Sequence, residues 1–342
     1  MARRLRLACT CAVLVSLSSA CAPLRVELPP GTSPRCLSGT DTEVSWDRPA
    51  AGLRDLDAWC ASVGPAVVMS RPSHVDRPVS RLLVISWNVH VGGGRVDELT
   101  ALTRLRSGQL GAGTGLVLLL QETFRGGAPV GAAPRGAAVP DAIRPSRRAD
   151  DVVRLANRLG LSAFYVPSMR NGGSDDPGDW EDRGSAILST EPLSDLTAIE
   201  LPMARQRRVA VMATVTPRNA AAAPMRVVAT HFDVVPFGGG AVRQARHLAQ
   251  RLTALNDSRL PLIVGADANA TSGFRHGTVA ALTTVAPVLQ QCGTGRTSAW
   301  FARSDFIFSD LDESAIAACE TLGDRYGSDH RPIVVTIDLP IS

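Results

Sequence analysis

The sequence predicts an α/β domain whose sheets are buried on both faces and covered by helices. Two observations carry this. Strand-like apolar runs outnumber helical stretches, and several runs are continuous instead of alternating, as in strands with no solvent-facing side. At 342 residues and 45% hydrophobic, the chain can bury a sizeable core, which excludes a disordered protein. No internal repeat or second domain of catalytic size is visible.

The N-terminus has the order of a secretory signal. Arg3, Arg4 and Arg6 precede the apolar stretch Leu7 to Leu17, and the small residues Ser18, Ser19 and Ala20 lead to Cys21. The apolar part is too short to span a bilayer. A small residue before Cys resembles the lipobox of bacterial lipoproteins, with Leu17 one position further from the Cys than that pattern prefers. Residues 1–20 are therefore expected to be removed on export, and Cys21 to carry lipid and hold the chain to a membrane. From Ala22 to about residue 80 the chain is rich in Pro, Ser and Arg, with one short helix near Leu53 to Ala61. It reads as a tether followed by an arm packed onto a main domain spanning 81–342.

Within that domain, Leu82 to Asn88 is a buried strand closed by a polar residue and broken by Gly92, Gly93 and Gly94. Val96, Leu99, Leu102 and Leu105 recur at helical spacing, and Leu116 to Leu120 forms a second strand closed by Gln121 and Glu122. Residues 125–150 read as a long loop of Gly, Ala, Pro and five arginines. Asp151 to Leu159 makes a helix ended by Gly160, and Ala163 to Val166 a strand. Asn171 to Glu181 is an acidic turn region, read as solvated instead of calcium-binding because its spacing matches no calcium loop. Strands follow at Ser185 to Ser189, Val209 to Val215, Arg226 to Thr230, Leu260 to Gly265, Asp305 to Phe308 and Ile333 to Ile337. Val242 to Leu255 is the one strong helix, with Val242, Leu248, Leu252 and Leu255 on one face.

Every basic residue except the histidines is Arg, and the formal net charge is +4. Removing the three signal arginines takes it to +1, because no acid precedes Cys21. A strongly basic nucleic-acid footprint is thereby excluded, though not a nuclease that binds through a metal and a few arginines. Of seven cysteines, Cys36, Cys60, Cys292 and Cys319 remain after the signal and the lipidation site. An even remainder suits an oxidising compartment, and nearness in sequence makes Cys36 with Cys60 and Cys292 with Cys319 the simplest of three possible pairings. No spacing of Cys or His suggests a structural zinc.

Polar residues fall consistently at strand ends. Asn88, Glu122, His231, Asp267 with Asn269, Asp305 and the pair Asp329-His330 all do so. Singly each has an ordinary reading, as a turn former, a surface acid or a loop residue. Together they suit phosphoester hydrolysis, whose anionic transition state calls for a hard cation held by carboxylate or amide oxygens. Glu122 and Asn88 suit the metal. Asp267 and Asn269, two apart, face the same way, and Asp267 suits proton transfer from the attacking water. His330, oriented by Asp305, would serve the leaving oxygen, and His231 would stabilise phosphoryl oxygens from the other side.

The stretches Ser86-Trp87-Asn88-Val89, Leu120-Gln121-Glu122-Thr123, Arg183-Gly184-Ser185-Ala186-Ile187-Leu188-Ser189, Thr230-His231, Gly265-Ala266-Asp267-Ala268-Asn269, Ser304-Asp305-Phe306-Ile307 and Ser328-Asp329-His330-Arg331-Pro332 resemble, in order, the motifs of the endonuclease/exonuclease/phosphatase superfamily. The resemblance spans about Arg81 to Leu339. It implies an α/β fold in which two mixed β-sheets pack as a sandwich flanked by helices on the outer faces, with the site at one edge and Mg2+ or Mn2+ as cofactor. It further implies Asn88 and Glu122 as the metal pair, Asp329 as a further metal or water ligand, and Asp305 as the orienting acid of His330. Two departures stand out. His90 occupies a place where some relatives hold an acid, and is open to metal, phosphate or packing roles. Some relatives also pair their first histidine with an acid near the position of Gly184, where this chain offers only Asp182 or Glu181. Arg207 and Arg208 resemble an arginine facing the site, and are read either as phosphate contacts or as solvated charges.

The leading expectation is an exported, metal-dependent phosphodiesterase acting on nucleic acid, motivated by the arginines between Arg125 and Arg148. The alternatives are a phosphatase or phospholipid hydrolase, and a non-catalytic surface interaction protein with the same fold. No feature calls for an obligate protein partner.

Overall fold

The computed structural model describes residues 35–37, 43–71, 78–102, 113–234, 239–256, 259–293, 295–299 and 303–340. The expected signal segment, Cys21 and the continuation of the helix expected through Arg106 lie outside the described residues. Thirteen strands form two sheets. They are β1 (Val44–Asp47), β2 (Val67–Met69), β3 (Arg81–Asn88), β4 (Thr114–Gly126), β5 (Ser162–Arg170), β6 (Glu181–Ser189), β7 (Leu193–Glu200), β8 (Val209–Val215), β9 (Met225–His231), β10 (Leu262–Asp267), β11 (Asp305–Ser309), β12 (Ile316–Thr321) and β13 (Ile333–Asp338). One sheet has the order β1-β7-β8-β9-β10-β11 and the other β12-β13-β3-β4-β6-β5-β2. The helices are α1 (Leu53–Cys60), α2 with described residues 96–102, α3 (Val152–Leu159), α4 (Gly240–Leu255) and α5 (Gly277–Thr283).

Alternation along each strand divides the core into three layers. Val84, Val117, Val211, Val227, Ile263 and Val335 meet between the sheets. Val228, Leu262 and Val264 turn outward beneath Leu248 and Leu252 of α4 and Leu282 of α5. Ile85, Trp87 and Leu118 turn outward beneath Leu99 of α2 and Leu155 of α3. Each side chain fully buried in this way contributes about 1.5–3 kcal/mol, and covering both outer faces explains why the strands read as continuous apolar runs. Gly265 sits where β10 faces β3 and β4 across the sandwich. A side-chain carbon there would lie 2.6 Å from Oγ of Ser86.

The arm is more deeply integrated than its composition suggests. β1 pairs parallel with β7 and β2 antiparallel with β5, so the segment before residue 80 supplies an edge strand to each sheet. Disulfides join Cys36 to Cys60 and Cys292 to Cys319, the simplest of the possible pairings. Residues 125 and 126, placed in a loop from sequence, belong to β4. Arg125 is buried and paired with Asp182 through two contacts at 3.0 and 2.5 Å, so it is not a surface phosphate contact.

Topology brings the polar strand ends together. β3 and β4 run parallel, as do β9 and β10, so Asn88, His231 and Asp267 close their strands, and Glu122, at the bulge within β4, follows the partner of Asn88, Gln121. β11 and β13 run antiparallel to their neighbours β10 and β3, which places Asp305 and the residues before Ile333 at the same edge.

Candidate active site

Asn88, His90, Glu122, His231, Asp267, Asn269, Asp329 and His330 line one pocket of about 520 Å3, with Ile143, Val234 and Ser298 completing it. Three of these residues have left-handed backbone, with φ of 48° at His90, 51° at Glu122 and 45° at Asn269. Such conformations cost roughly 1–3 kcal/mol each for residues with a Cβ and concentrate at functional sites. At Glu122 the cause is a bulge in β4, where register with β6 shifts between Leu120 and Thr123.

His330 is held on three sides. Its Nδ1 contacts Asp305 Oδ2 at 2.8 Å and Oδ1 at 3.0 Å. Its backbone N–H donates to Ser328 Oγ at 3.0 Å, and that hydroxyl donates to Asn88 O at 2.6 Å. Its carbonyl accepts from Trp87 Nε1 at 3.0 Å. Burial alone would lower the pKa of His330, but the carboxylates of Asp305 and Asp267 outweigh it and raise the value to about 10. The imidazole is therefore cationic at neutral pH.

Asp267 is 1% exposed. Its Oδ2 accepts from Asn88 Nδ2 at 2.8 Å and its Oδ1 from the backbone N–H of Asn269 at 3.1 Å. Two histidine nitrogens approach the same Oδ2, His231 Nε2 at 3.4 Å and His330 Nε2 at 3.9 Å. Burial, then repulsion from Asp305, raises the Asp267 pKa to about 7. A carboxylate that ionises near neutrality can take a proton from water and return it.

His231 stays neutral, because burial first, then Arg208, His330 and Arg183, hold its pKa well below 6.5. Arg208 NH1 lies 3.1 Å from Nδ1, and Nε2 stands 3.4 Å from Asp267 Oδ2. Asn269 Nδ2 donates to Phe232 O at 2.8 Å and stands 3.0 Å from the same Nε2. Neither nearby acid serves His231. Asp182 is taken by Arg125 and Tyr165, Glu181 by Arg144 and Asn171, and the position beside the ring is filled by a cation.

Two expected phosphate contacts do not face the pocket. Arg207 is fully buried and donates to Glu200 at 2.6 Å, to the carbonyls of Pro167 and Ser168, and to Cys36 Sγ at 3.2 Å. Arg208 acts on the site only through His231. His90 does line the pocket, but its Nδ1 is committed to Asp329 Oδ1 at 2.7 Å, which raises the pKa of His90.

The donors available to a metal are hard oxygens. The carboxylate of Glu122 takes no hydrogen bond among the described residues, and His231 Nδ1 is 3.8 Å from it. Asp329 lies beside it in the pocket with its pKa held down: burial would raise it, but the His90 hydrogen bond and His330 prevail. With the amide oxygen of Asn88, these two carboxylates fit a cation that prefers oxygen and water, such as Mg2+ or Mn2+. Asp267, Asp305 and His330 also offer ligand atoms within 4.8 Å of one another. There Asp305 is already spent on the imidazole, so that trio is better described as an acid–imidazole pair beside a second carboxylate than as a cation cage.

No protein-family model and no curated protein matches the sequence. Solved structures do match. An endonuclease/exonuclease/phosphatase from Beutenbergia cavernae aligns with TM-score 0.53 and 19% identity over 77% of this chain and 72% of that one. The human nocturnin catalytic domain, solved with bound sulfate anion, aligns with TM-score 0.51 and 15% identity over 80% of this chain and 97% of that one. An endonuclease/exonuclease/phosphatase family protein from Bacteroides thetaiotaomicron aligns with TM-score 0.50 and 13% identity over 78% of this chain and all of that one. The two sheets, their outer helices and these neighbours together establish that the chain has the endonuclease/exonuclease/phosphatase fold.

Proposed function

We propose that the chain is a metal-dependent phosphoester hydrolase, with the phosphodiesters of nucleic acid as its first substrate. The observation that carries this is one pocket that sets Asp267 beside His330, itself held by Asp305, with the oxygen donors of Glu122, Asp329 and Asn88 in the same lining. Asp267 accepts the proton of the attacking water. The backbone N–H of Asn269 keeps that carboxylate aligned, and the neutral His231 ring and the Asn269 side chain beside it stabilise phosphoryl oxygens as charge develops. Glu122, Asp329 and Asn88 would hold Mg2+ or Mn2+, which when bound neutralises phosphoryl charge.

His330 takes a different part from the one its sequence context suggests. In-line displacement puts attacking and leaving oxygens on opposite sides of phosphorus, whereas His330 Nε2 neighbours the water-activating Oδ2 at 3.9 Å. His330 therefore donates to a non-bridging phosphoryl oxygen on the side of the attacking water, instead of to the leaving oxygen.

A second reading, a phospholipid-type phosphodiesterase, is favoured by one observation. Ile143 and Val234, two of the three large apolar side chains exposed among the described residues, both border the pocket. Assay of the purified chain with Mg2+ against plasmid DNA, RNA, phosphomonoesters and phospholipids tests both. Cleavage of DNA or RNA supports the first reading, and turnover of phospholipid with both polymers intact supports the second.

Export and a lipid on Cys21 belong to the same proposal, supported by the order of the N-terminal segment and the two disulfides. Among the described residues no helix is long and apolar enough to cross a membrane. Cys21→Ala should release the protein from the membrane fraction, and a variant that still sediments there would refute the anchor.

A further inference from the structure

The arginine-rich segment before Asp150 is seated on the main domain by close contact. A side-chain carbon at Gly93 would lie 2.5 Å from Cβ of Pro145, and the backbone N–H of Asp150 donates to Gly92 O at 2.8 Å. These contacts account for two members of the glycine triplet after β3. Ile143 is fixed at both its backbone groups by Asn171, whose Oδ1 accepts at 2.9 Å and whose Nδ2 donates at 3.2 Å. Asn171 is itself buried and takes a 2.7 Å hydrogen bond from the buried Arg183. Buried polar groups thus hold an exposed aliphatic side chain in place.

Ile143 borders two cavities, the catalytic pocket of about 520 Å3 and a neighbour of about 580 Å3. Arg144, Arg147, Arg148 and Arg154 line the second, against the carboxylates of Asp179 and Glu181. Glu181 is already paired with Arg144, and Arg154 is 4.0 Å from the carboxylate of Asp151, which caps α3. Arg147 and Arg148 are exposed and have no ion-pair partner among the described residues. Arg147 also rests against the loop that carries Asp329 and His330, its Cδ 3.6 Å from where a side-chain carbon at Gly327 would stand.

We propose that this second cavity is an anion subsite, in which Arg147 and Arg148 take the phosphate neighbouring the one hydrolysed while Ile143 packs against the nucleoside between them. The preferred substrate is then a nucleic-acid strand with at least two phosphates. The proposal rests on the phosphodiesterase reading above. Its physical basis is that guanidinium groups on a firmly seated loop add charge-assisted contacts to a polyanion and release counterions when they do so.

Equilibrium binding of a fluorescent single-stranded tetranucleotide in EDTA, measured over a range of salt concentrations, tests the subsite without requiring turnover. The double variant Arg147→Ala, Arg148→Ala should bind at least about tenfold more weakly, and the slope of log K against log salt should be shallower by about one to two. It should hydrolyse bis(p-nitrophenyl) phosphate, which has a single phosphate, at the wild-type rate. Wild-type affinity and slope in the double variant would overturn the subsite, as would a wild-type chain that does not bind the tetranucleotide. Failure of the wild-type chain to hydrolyse bis(p-nitrophenyl) phosphate with Mg2+ would instead count against the catalytic reading, with the subsite still decided by the binding result.

Discussion

Nδ1 of His330 is 2.8 Å and 3.0 Å from the two oxygens of Asp305, a buried contact between side chains that open β11 and precede β13. The carboxylate keeps a largely buried imidazole charged. Asp305→Asn should remove that support, lower the pKa of His330, and lower kcat/KM by roughly 10²–10⁴-fold. In the wild type the alkaline limb of the pH profile should fall near pH 10, and in Asp305→Asn it should move to lower pH. The same shift bears on stability. A group whose folded pKa is raised from 6.5 to about 10 stabilises the fold fully below pH 6.5 and loses that contribution as pH climbs through 10. Thermal melts from pH 6 to 10 should show the wild type falling towards the variant.

The acid limb belongs to Asp267. Activity should drop below about pH 7, where this carboxylate becomes protonated and cannot accept a proton from water. The cation of His330 lowers the Asp267 pKa, so His330→Ala should move the acid limb to higher pH as well as reduce kcat by orders of magnitude. A pH–rate profile whose acid limb stays in place would separate the two residues.

Glu122 is the carboxylate in the pocket without a hydrogen-bonding partner. Glu122→Gln should raise the Mg2+ concentration needed for half-maximal activity by at least about 10–100-fold, as loss of even a supporting ligand contact does. Chelation with EDTA should abolish turnover in the wild type and Mg2+ or Mn2+ should restore it. Added Mg2+ should also raise the melting temperature of the wild type more than that of the variant, which titration calorimetry can check independently.

Away from the site, Glu200 compensates two arginines. It is fully buried and contacts Arg207 at 2.6 Å and Arg48 at 2.5 Å. Burial would raise its pKa, but the two guanidinium groups prevail and lower it. Glu200→Gln leaves a buried cation uncompensated and should cost about 3–5 kcal/mol in denaturant unfolding. A depressed carboxylate stabilises above its unfolded pKa and loses this as pH falls through its folded value, so the difference between variant and wild type should shrink in acid.

Sequence patterns disclosed the site better than they disclosed its support. The strand-end residues Asn88, Glu122, His231, Asp267, Asp305 and His330 were legible because each closes or opens an apolar run, and parallel pairing then puts such ends on one edge. β7 was not, because Leu193-Ser194-Asp195-Leu196-Thr197 mixes polar residues into its exposed half. β12 is a partly exposed edge strand in which the apolar stretch Ile316 to Cys319 is built mostly of small residues. β1 and β2 are too short to stand out from an arm of mixed composition. Arg207 was misread because its partners, Glu200 and Cys36, are brought to it only by the fold. Arg208 was legible as an arginine near the site, but not its contact with His231, which the fold alone supplies. The importance of Ile143 depends on Asn171, reached through the pairing of β5 and β6.

The central claim, that Asp267 activates water in a metal-dependent phosphodiesterase, is tested most directly by the rate of p-nitrophenol release from bis(p-nitrophenyl) phosphate with Mg2+, for wild type and Asp267→Ala at equal folded concentration. The wild type should turn over and stop with EDTA, and Asp267→Ala should lose at least about 10²-fold in rate. Hydrolysis by Asp267→Ala at the wild-type rate, or a wild type that releases no product, would contradict the claim.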